Sequence, residues 1–308
     1  MKKQKIVISV GGNALSNNPE TDAKLLQPVA DLIYKLYKQG NKILLTTGNG
    51  PQSGELYDCF NDANKYNSKH TALTLDEANA ISQGYIGYHV MKSIKNKFSG
   101  LDAPIACLQT LTIVDEKDPG FQNPTKPIGS FFKTLEEAKK TYPNDIIVED
   151  AGRGFRKVVA SPKPKSFVGF QAISKLLDAN IITIAGIGGG VPCIIKNNKI
   201  IGKEGVIDKD FSTSKLAQLI KADMLILLTG VKNVMLDFNT SNAKPINKTK
   251  ISEIEKYLTK YDFGKGSMEP KLKAAIEFTK ASKHIAVITD LKNASNAIQL
   301  KAGTIIEK

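Results

Sequence analysis

Short apolar runs alternate with longer amphipathic segments along most of the chain. The apolar runs are nearly continuous, which is typical of strands buried on both faces of a sheet. They predict strands at 5–10, 42–47, 181–185, 224–228, 285–288 and 304–306, with further extended chain at 104–114. Helical periodicity predicts helices at 20–39, 208–221, 251–261 and 267–282, and one or two within 75–98. This order predicts an α/β fold with a mostly parallel central sheet, covered by helices on both faces.

The alternation is interrupted between residues 115 and 164. This stretch holds six of the chain's 13 prolines and a single short helical pattern at 134–142. Its aromatic and apolar residues favour a small folded insertion over an extended loop. The length of 308 residues suggests two lobes. We therefore expect one domain over 1–308, with a first lobe at about 1–180, a second lobe at about 181–308, and a protruding subdomain inserted at 115–164.

The net charge of +13 allows either nucleic acid or a small anion as a partner. Forty-one of the 43 basic residues are lysines, and they are spread along the chain rather than gathered into a basic arm. Aromatic residues make up 7% and Trp is absent, which does not favour base stacking. The three cysteines show no zinc-ligand spacing, and no apolar run reaches the ~20 residues of a membrane helix. We expect a cytoplasmic protein that binds neither nucleic acid nor membrane.

Two predicted helices each begin with a lysine in the first turn. Asp208 is the expected N-cap of one helix and Lys209 follows it, while Ser267 is the expected cap of the other, with Lys271 four residues later. The first turn carries the positive end of the helix dipole, so a cation there is unfavourable. In a lysine-rich chain one such lysine is explained by chance. Two of them, each after a glycine-containing loop, favour a bound polyanion between the two helices.

Glycine-rich breaks follow three of the predicted strands. They are Gly11-Gly-Asn13, Gly48-Asn-Gly50 and Gly186-Ile-Gly-Gly-Gly190. In an open α/β sheet such breaks lie at the carboxyl edge, where backbone N–H groups can approach phosphate oxygens. Neither the G-x-x-x-x-G-K-[ST] loop nor a complete G-x-G-x-x-G fingerprint occurs.

The three histidines do not form a catalytic arrangement in the sequence, and no nucleophile elbow is present. This favours chemistry that needs neither a base nor a covalent nucleophile. Phosphoryl transfer to an acceptor that is already an anion fits, because lysines and a nucleotide-bound Mg²⁺ relieve its charge repulsion. The only arginines, Arg153 and Arg156, lie close to Glu149 and Asp150. They are equally consistent with a structural ion-pair cluster and with ligand recognition.

Nine motifs are distributed over nearly the whole chain. They are Val10-Gly-Gly-Asn-Ala14, Gly48-Asn-Gly-Pro-Gln52, Gln83-Gly-Tyr-Ile-Gly-Tyr88, Asn123-Pro-Thr-Lys-Pro-Ile-Gly129, Glu149-Asp-Ala-Gly-Arg153, Ser161-Pro-Lys-Pro164, Ile207-Asp-Lys-Asp210, Leu228-Thr-Gly-Val231 and Gly266-Ser-Met268. Together they resemble the carbamate kinases of the amino-acid kinase superfamily. The combination of the Asn123–Gly129 and Ile207–Asp210 strings is specific, since other branches of the superfamily share the glycine loops without it.

The resemblance implies an amino-acid kinase fold and reversible phosphoryl transfer between ATP and carbamate, giving ADP and carbamoyl phosphate. It further implies Mg²⁺ bound with the nucleotide, a homodimer, and ATP formation in arginine catabolism. The first lobe would bind carbamate or carbamoyl phosphate and the second lobe the nucleotide. By family analogy Lys209 and Lys271 bind the nucleotide phosphates, Asp210 holds both lysines, and Lys126 reaches the small substrate from the insertion.

The resemblance also implies two sets of contacts made near the glycine loops. Backbone donors to the carbamate and phosphoryl oxygens are expected from Gly11, Gly12, Asn13, Gly48, Asn49 and Gly50. Residues bordering the nucleotide are expected to be Thr229, Gly230, Val231, Ser267 and Met268. No metal site made by protein side chains alone is expected.

Two alternatives to a carbamate kinase remain open from the sequence. The first is a basic, non-enzymatic binder of nucleic acid or another polyanion, which the net charge permits. The second is a sister kinase that acts on an amino-acid carboxylate. Salt-dependent binding measurements separate the first from an enzyme, and a substrate panel separates the second.

Overall fold

The computed structural model describes residues 3–11, 19–99, 103–150 and 152–308, with the side chains of 19–23 and 265 left aside. The helices are α1 (Pro19–Lys38), α2 (Gly50–Tyr66), α3 (Leu75–Lys97), α4 (Leu135–Thr141), α5 (Phe170–Asp178), α6 (Lys209–Leu219), α7 (Ile251–Lys260), α8 (Glu269–Ser282) and α9 (Ala294–Ala297). The strands of the central sheet are β1 (Lys5–Val10), β2 (Lys42–Thr47), β3 (Ile105–Cys107), β9 (Ile182–Ile184), β12 (Met224–Thr229), β15 (Lys248–Lys250), β16 (Ile285–Asp290) and β17 (Thr304–Glu307). The remaining strands are β4 (Leu111–Ile113), β5 (Lys126–Phe132), β6 (Ile147–Glu149), β7 (Phe155–Val159), β8 (Ser166–Phe167), β10 (Val191–Lys196), β11 (Lys199–Gly202), β13 (Met235–Leu236) and β14 (Lys244–Pro245).

The central sheet has eight strands in the order β15-β17-β16-β12-β1-β2-β9-β3. The six strands from β16 to β3 are mutually parallel, and β17 pairs with β16 in the antiparallel sense. Strand β1 lies in the middle and pairs with β12 on one side and β2 on the other. The predicted fold class, a mostly parallel α/β sheet, is confirmed.

Each face of the sheet packs against its own set of helices. Successive residues of a strand point to opposite faces, so Leu44 belongs to the apolar core beside α6 and α8, while Leu45 belongs to the core beside α1 and α3. Both side chains are fully buried. This explains the continuous apolar runs in the sequence, because a strand covered on both faces has no solvent-facing position.

The insertion folds as a three-stranded antiparallel sheet, β5-β7-β6, with α4 beside it. Thr134 caps α4 in a capping box with Glu137, as the helical pattern at 134–142 predicts. The subdomain is attached to α2 at Gly54, where an added Cβ would overlap the backbone of Gly129. Close packing of β5 on α2 thus fixes the base of the insertion. The assignment of ligands to two lobes stays a prediction.

The two arginines have a structural role in the insertion. Arg153 donates to Asp150 Oδ1 at 2.8 Å, and Arg156 donates to Asp150 Oδ2 at 3.0 Å. Both guanidinium groups also lie over the ring of Phe131. Of the two interpretations left open by the sequence, the ion-pair cluster is the one that the structure shows.

Some elements differ from the sequence-based expectation. Helix α2 begins directly at the second glycine break, although Gly50 and Pro51 indicate a turn rather than a helix. The hairpin β10–β11 and helix α5 are also absent from the sequence-based prediction. The prediction of Ser267 as a helix cap is wrong, because Ser267 lies inside a π-helical turn, Gly264–Met268, that precedes α8. Within the described parts of the chain, no helix combines the length and the apolar character needed to cross a membrane.

Candidate active site

The glycine breaks after β1 and β2 lie at the carboxyl edge of the sheet. Val10 is paired with Thr47, so Gly11 and Gly48 follow neighbouring strand ends. A Cβ placed on Gly11 would lie 3.9 Å from the carbonyl oxygen of Leu228, near the end of β12. Three adjacent strands therefore deliver backbone groups to one place, which is where ligands bind in open α/β sheets.

The two first-turn lysines meet at one carboxylate. Lys209 Nζ lies 2.6 Å from Asp210 Oδ1, and Lys271 Nζ lies 3.1 Å from Asp210 Oδ2. Lys209 also donates to Ser9 Oγ at 3.2 Å, and Lys271 donates to the carbonyl oxygen of Ser267 at 3.2 Å. Helices α6 and α8 thus bring their N-terminal ends together, and the structure places the predicted cluster of Lys209, Asp210 and Lys271 in one group.

This cluster is buried and carries an excess of positive charge. Burial raises the pKa of Asp210, but the charges of Lys209 and Lys271 outweigh it and hold that pKa well below the usual range. Burial also lowers the pKa of Lys209, and the neighbouring Lys271 adds to that effect while Asp210 opposes it. Two ammonium groups share one carboxylate, so the cluster is suited to an anion that supplies the missing negative charge.

Lys126 reaches the same region from the insertion. Its Nζ lies 2.6 Å from Asp208 Oδ2, and although burial lowers its pKa, the attraction of Asp208 raises it overall. Asp208 Oδ1 meanwhile accepts from the backbone N–H of Asp210 at 2.9 Å. Asp208 is therefore the helix cap that the sequence predicts and also the counter-ion of Lys126. Sequence reasoning misses this second role, because nothing in the sequence pairs residues 82 positions apart.

A cavity of about 180 Å³ connects these elements. It is lined by Lys126 from β5, by Asp208 and Phe211 from the start of α6, by Pro270 from the first turn of α8, and by Gly266 from the turn that precedes α8. Of the three predicted catalytic lysines, Lys126 lines this cavity, while Lys209 and Lys271 lie on the helices whose N-terminal ends border it. The space is suited to a phosphate-sized group rather than to a polymer.

The residues expected to border a nucleotide lie in two separate loops. Thr229 ends β12, and Gly230 and Val231 follow it. Ser267 and Met268 belong to the π-helical turn before α8, and Met268 packs against the core beside that helix. Their contacts with a nucleotide stay a prediction. Of the expected substrate-binding residues, Gly12 and Asn13 lie outside the described residues.

Asn49 lies in the second glycine loop, and hydrogen bonds from its side chain hold it in place. Its amide nitrogen donates to Asn79 Oδ1 and, at 2.8 Å, to Ser82 Oγ on α3. Gly188, with φ of +66°, leaves the space that this side chain occupies, because a Cβ at Gly188 would overlap it. The isoleucine-interrupted glycine run after β9 therefore has a packing reason in this fold.

Comparison with known proteins defines the class of this chain. Residues 4–290 match the family model described as the amino acid kinase family. The chain belongs to this family, and it carries the lysine–aspartate cluster described above at the carboxyl edge of the sheet.

Proteins similar to this chain include several carbamate kinases. A carbamate kinase of Latilactobacillus sakei is 42% identical over 316 residues, covering 100% of both chains. The structure of a carbamate kinase from Giardia lamblia bound to citric acid has a TM-score of 0.92 at 39% identity, covering 99% of each chain. The same Giardia lamblia enzyme bound to AMP-PNP has a TM-score of 0.88, also at 39% identity and 99% coverage of each chain. The predicted resemblance to carbamate kinases is confirmed.

Proposed function

We propose that the chain catalyses reversible phosphoryl transfer between ATP and carbamate, giving ADP and carbamoyl phosphate. The observation that carries the proposal is the pair of ammonium groups, Lys209 and Lys271, held by Asp210 at the ends of two helices. A transferring phosphoryl group spreads negative charge over its oxygens, and positioned cations stabilise that charge. The full-length similarity to carbamate kinases supports carbamate as the acceptor.

The proposed roles follow from where each side chain lies. Lys209 and Lys271 bind the nucleotide phosphates and neutralise the moving phosphoryl group, while Asp210 positions both lysines. Lys126, which reaches the start of α6 from the insertion and pairs with Asp208, binds the carbamoyl phosphate or carbamate end. No proton transfer is required, because the attacking oxygen of carbamate is already ionised.

Magnesium belongs to the proposal as a partner of the nucleotide. Among the described residues no group of three or more His, Cys, Asp or Glu side chains is arranged to hold a metal ion. Asp208 and Asp210 are engaged by lysines, which fits an ion held mainly by phosphate oxygens, as is common for Mg²⁺. When bound, Mg²⁺ would neutralise charge on the phosphates.

A homodimer is proposed on the basis of an exposed apolar surface. Helix α3 exposes Ile81 and Tyr88, and the β10–β11 hairpin beside it exposes Ile195, Ile200 and Ile201. Exposed apolar side chains on two neighbouring elements are typical of a subunit interface. Light scattering on Tyr88→Glu and Ile200→Glu tests this, because each buried charge should shift a dimer to monomer.

The physiological setting is also part of the proposal. ATP formation from carbamoyl phosphate is the proposed direction, as in arginine catabolism, since carbamoyl phosphate is an activated anhydride. A cytoplasmic location fits the three cysteines, which are all unpaired.

The test is a coupled assay that follows ATP formation from carbamoyl phosphate and ADP. Lys209→Ala and Lys271→Ala are each expected to lower kcat at least about a hundredfold, as for the loss of a charge that stabilises the transition state. Lys273→Ala is the matched control, because Lys273 lies on the same helix but pairs with Glu269 at the surface. Wild-type turnover in Lys271→Ala would refute the assigned role.

A further inference from the structure

An unusual group of unpaired polar atoms lies where β2 passes into α2. Seven buried side-chain nitrogen or oxygen atoms lack a hydrogen-bond partner among the described residues, and four of them fall within six positions of the chain. They are Thr47 Oγ1, Asn49 Oδ1, and both Gln52 Oε1 and Gln52 Nε2. Thr47, Asn49 and Gln52 are 4%, 1% and 4% exposed, so bulk solvent does not reach these side chains.

A fully unpaired, buried glutamine side chain is costly to a folded protein. Most buried polar atoms find a partner, and those that do not destabilise the native state. Gln83 shows the ordinary situation in this chain, since it is 2% exposed and its amide donates to the carbonyl of Thr110 at 3.1 Å and accepts from its N–H at 2.8 Å. Unpaired atoms at a ligand-binding edge are explained when a ligand supplies the partners.

The orientation of the Asn49 amide is fixed by the hydrogen bonds around it. Asn79 donates to the carbonyl of Gly205 through its own amide nitrogen, so its Oδ1 faces Asn49 as an acceptor. Ser82 donates to the carbonyl of Asn79 and is therefore also an acceptor toward Asn49. The nitrogen of Asn49 must point at both, which leaves Oδ1 as the free acceptor.

The free atoms near the start of α2 match a carbamoyl group. Asn49 Oδ1 and Gln52 Oε1 are two acceptors, and Gln52 Nε2 is a donor. A carbamoyl group offers two N–H donors and one carbonyl acceptor. An acyl group such as acetyl has the same shape and the same carbonyl, but a methyl group replaces the amino group. It would leave both acceptors unpaired.

The chain segment that carries these side chains lies beside the strand that bears Lys126. Asn49 is the N-cap of α2, and Gln52 lies in the first turn of that helix, three residues later. Gly50 lies between them in the chain. A Cβ placed on Gly50 would lie 3.6 Å from the carbonyl oxygen of Pro127. Pro127 follows Lys126, the residue proposed to bind the small substrate.

We infer that Gln52, together with the Oδ1 atom of Asn49, binds the amino group of carbamate or carbamoyl phosphate and selects it against acyl phosphates. This inference rests on the proposed function and adds the residues that determine its specificity. A site built to pair with a substrate N–H group discriminates strongly against an analogue that lacks it, because its own polar atoms are then left buried and unpaired.

The test compares carbamoyl phosphate with acetyl phosphate as phosphoryl donors to ADP. The wild-type chain is expected to prefer carbamoyl phosphate at least about a hundredfold in kcat/KM. Gln52→Met keeps the volume and removes all three hydrogen-bonding groups of the amide. It is expected to reduce that preference at least about tenfold, mainly by slowing the reaction of carbamoyl phosphate. Because it also removes unpaired polar atoms, it should raise the Tm of the ligand-free protein by about 2 °C or more.

Gln83→Met is the matched control. It removes a buried amide whose partners are satisfied, so it should lower Tm and leave the ratio of the two kcat/KM values unchanged. If Gln52→Met lowers both kcat/KM values equally and lowers Tm, Gln52 is a structural residue and the inference is wrong. An unchanged ratio of the two kcat/KM values in Gln52→Met would also refute the inference, whatever the Tm of the variant.

A measurement on the wild-type chain stands independently of how the variants fold. Phosphonoacetamide and acetonylphosphonate are stable analogues that differ in an amino and a methyl group. Calorimetric titration should show at least about tenfold tighter binding of phosphonoacetamide, and equal affinities would overturn the inference. A wild-type chain that forms no ATP from carbamoyl phosphate would instead refute the proposed function, before any variant is compared.

Discussion

Asp210→Asn gives the sharpest test of the lysine–aspartate cluster. At an effective dielectric constant of about 20, the contacts of 2.6 Å and 3.1 Å correspond to roughly 6 and 5 kcal/mol of Coulomb attraction. Desolvation of the charges offsets much of this, and breaking a buried ion pair by removing one partner typically costs about 3–5 kcal/mol. The side chain of Asp210 is 5% exposed, so that range applies to the free energy of unfolding here.

The effects on binding and on turnover should differ. Replacing the carboxylate by an amide leaves Lys209 and Lys271 without their counter-ion, so a nucleotide phosphate is attracted at least as strongly as before. The lysines are no longer held where charge develops, and kcat is expected to fall at least about a hundredfold. The assays are urea unfolding, the coupled measurement of ATP formation, and titration calorimetry with ADP.

Asp150→Asn is a matched control for this substitution. Asp150 is also a buried carboxylate that pairs with two cations, Arg153 and Arg156, but it lies in the insertion. The variant Asp150→Asn should lose a similar amount of the free energy of unfolding and keep kcat within about threefold of the wild-type value. The reasoning is refuted if Asp210→Asn turns over at the wild-type rate, or if both variants lose turnover in proportion to their loss of stability.

Three further predictions concern the site and the insertion beside it. Lys126→Ala should raise KM for carbamoyl phosphate at least about tenfold in steady-state kinetics and leave KM for ADP unchanged; an effect on ADP alone would contradict the assignment. Gly54→Ala should lower Tm by several degrees, because its Cβ overlaps Gly129, whereas Gly84→Ala, also helical but with open space around it, should raise Tm slightly. A stable Gly54→Ala variant would show that the insertion shifts without cost. The pKa of Asp210 is lower in the folded chain than in the unfolded chain. The stability advantage over Asp210→Asn should therefore be constant above about pH 5 and shrink below about pH 4 in urea unfolding across pH; growth of the advantage on acidification would contradict it.

The sequence predicts the central sheet well because each strand is buried on both faces. Strands such as β2 and β12 are continuous apolar runs with few alternative interpretations. Helix α2 escapes prediction, since it starts with Gly50 and Pro51 and carries few apolar residues. Helix α2 packs against β5 and α3. These contacts join different elements of the chain, so the local periodicity of the sequence does not predict them.

The sequence predicts those site residues whose position within a helix is itself unusual. A lysine in the first turn is locally unfavourable, and this feature of the sequence indicates Lys209 and Lys271. The pairing of Lys126 with Asp208 and the unpaired amide of Gln52 depend on tertiary contacts, so no pattern within a short window reveals them. Ser267 shows the converse error, since a suitable capping residue lies in a turn of a different kind.

The order β12-β1-β2 at the middle of the sheet has a geometric consequence for the proposed reaction. The proposed nucleotide loop follows β12 and the second of the two proposed carbamate loops follows β2, so these two loops are separated by two strand spacings, or about 10 Å. The hydrogen-bonded ladder prevents that separation from changing without loss of the sheet. The backbone itself therefore sets the spacing of these two loops across the end of β1, and any adjustment on substrate binding is made by side chains such as Lys126 and by the ligand.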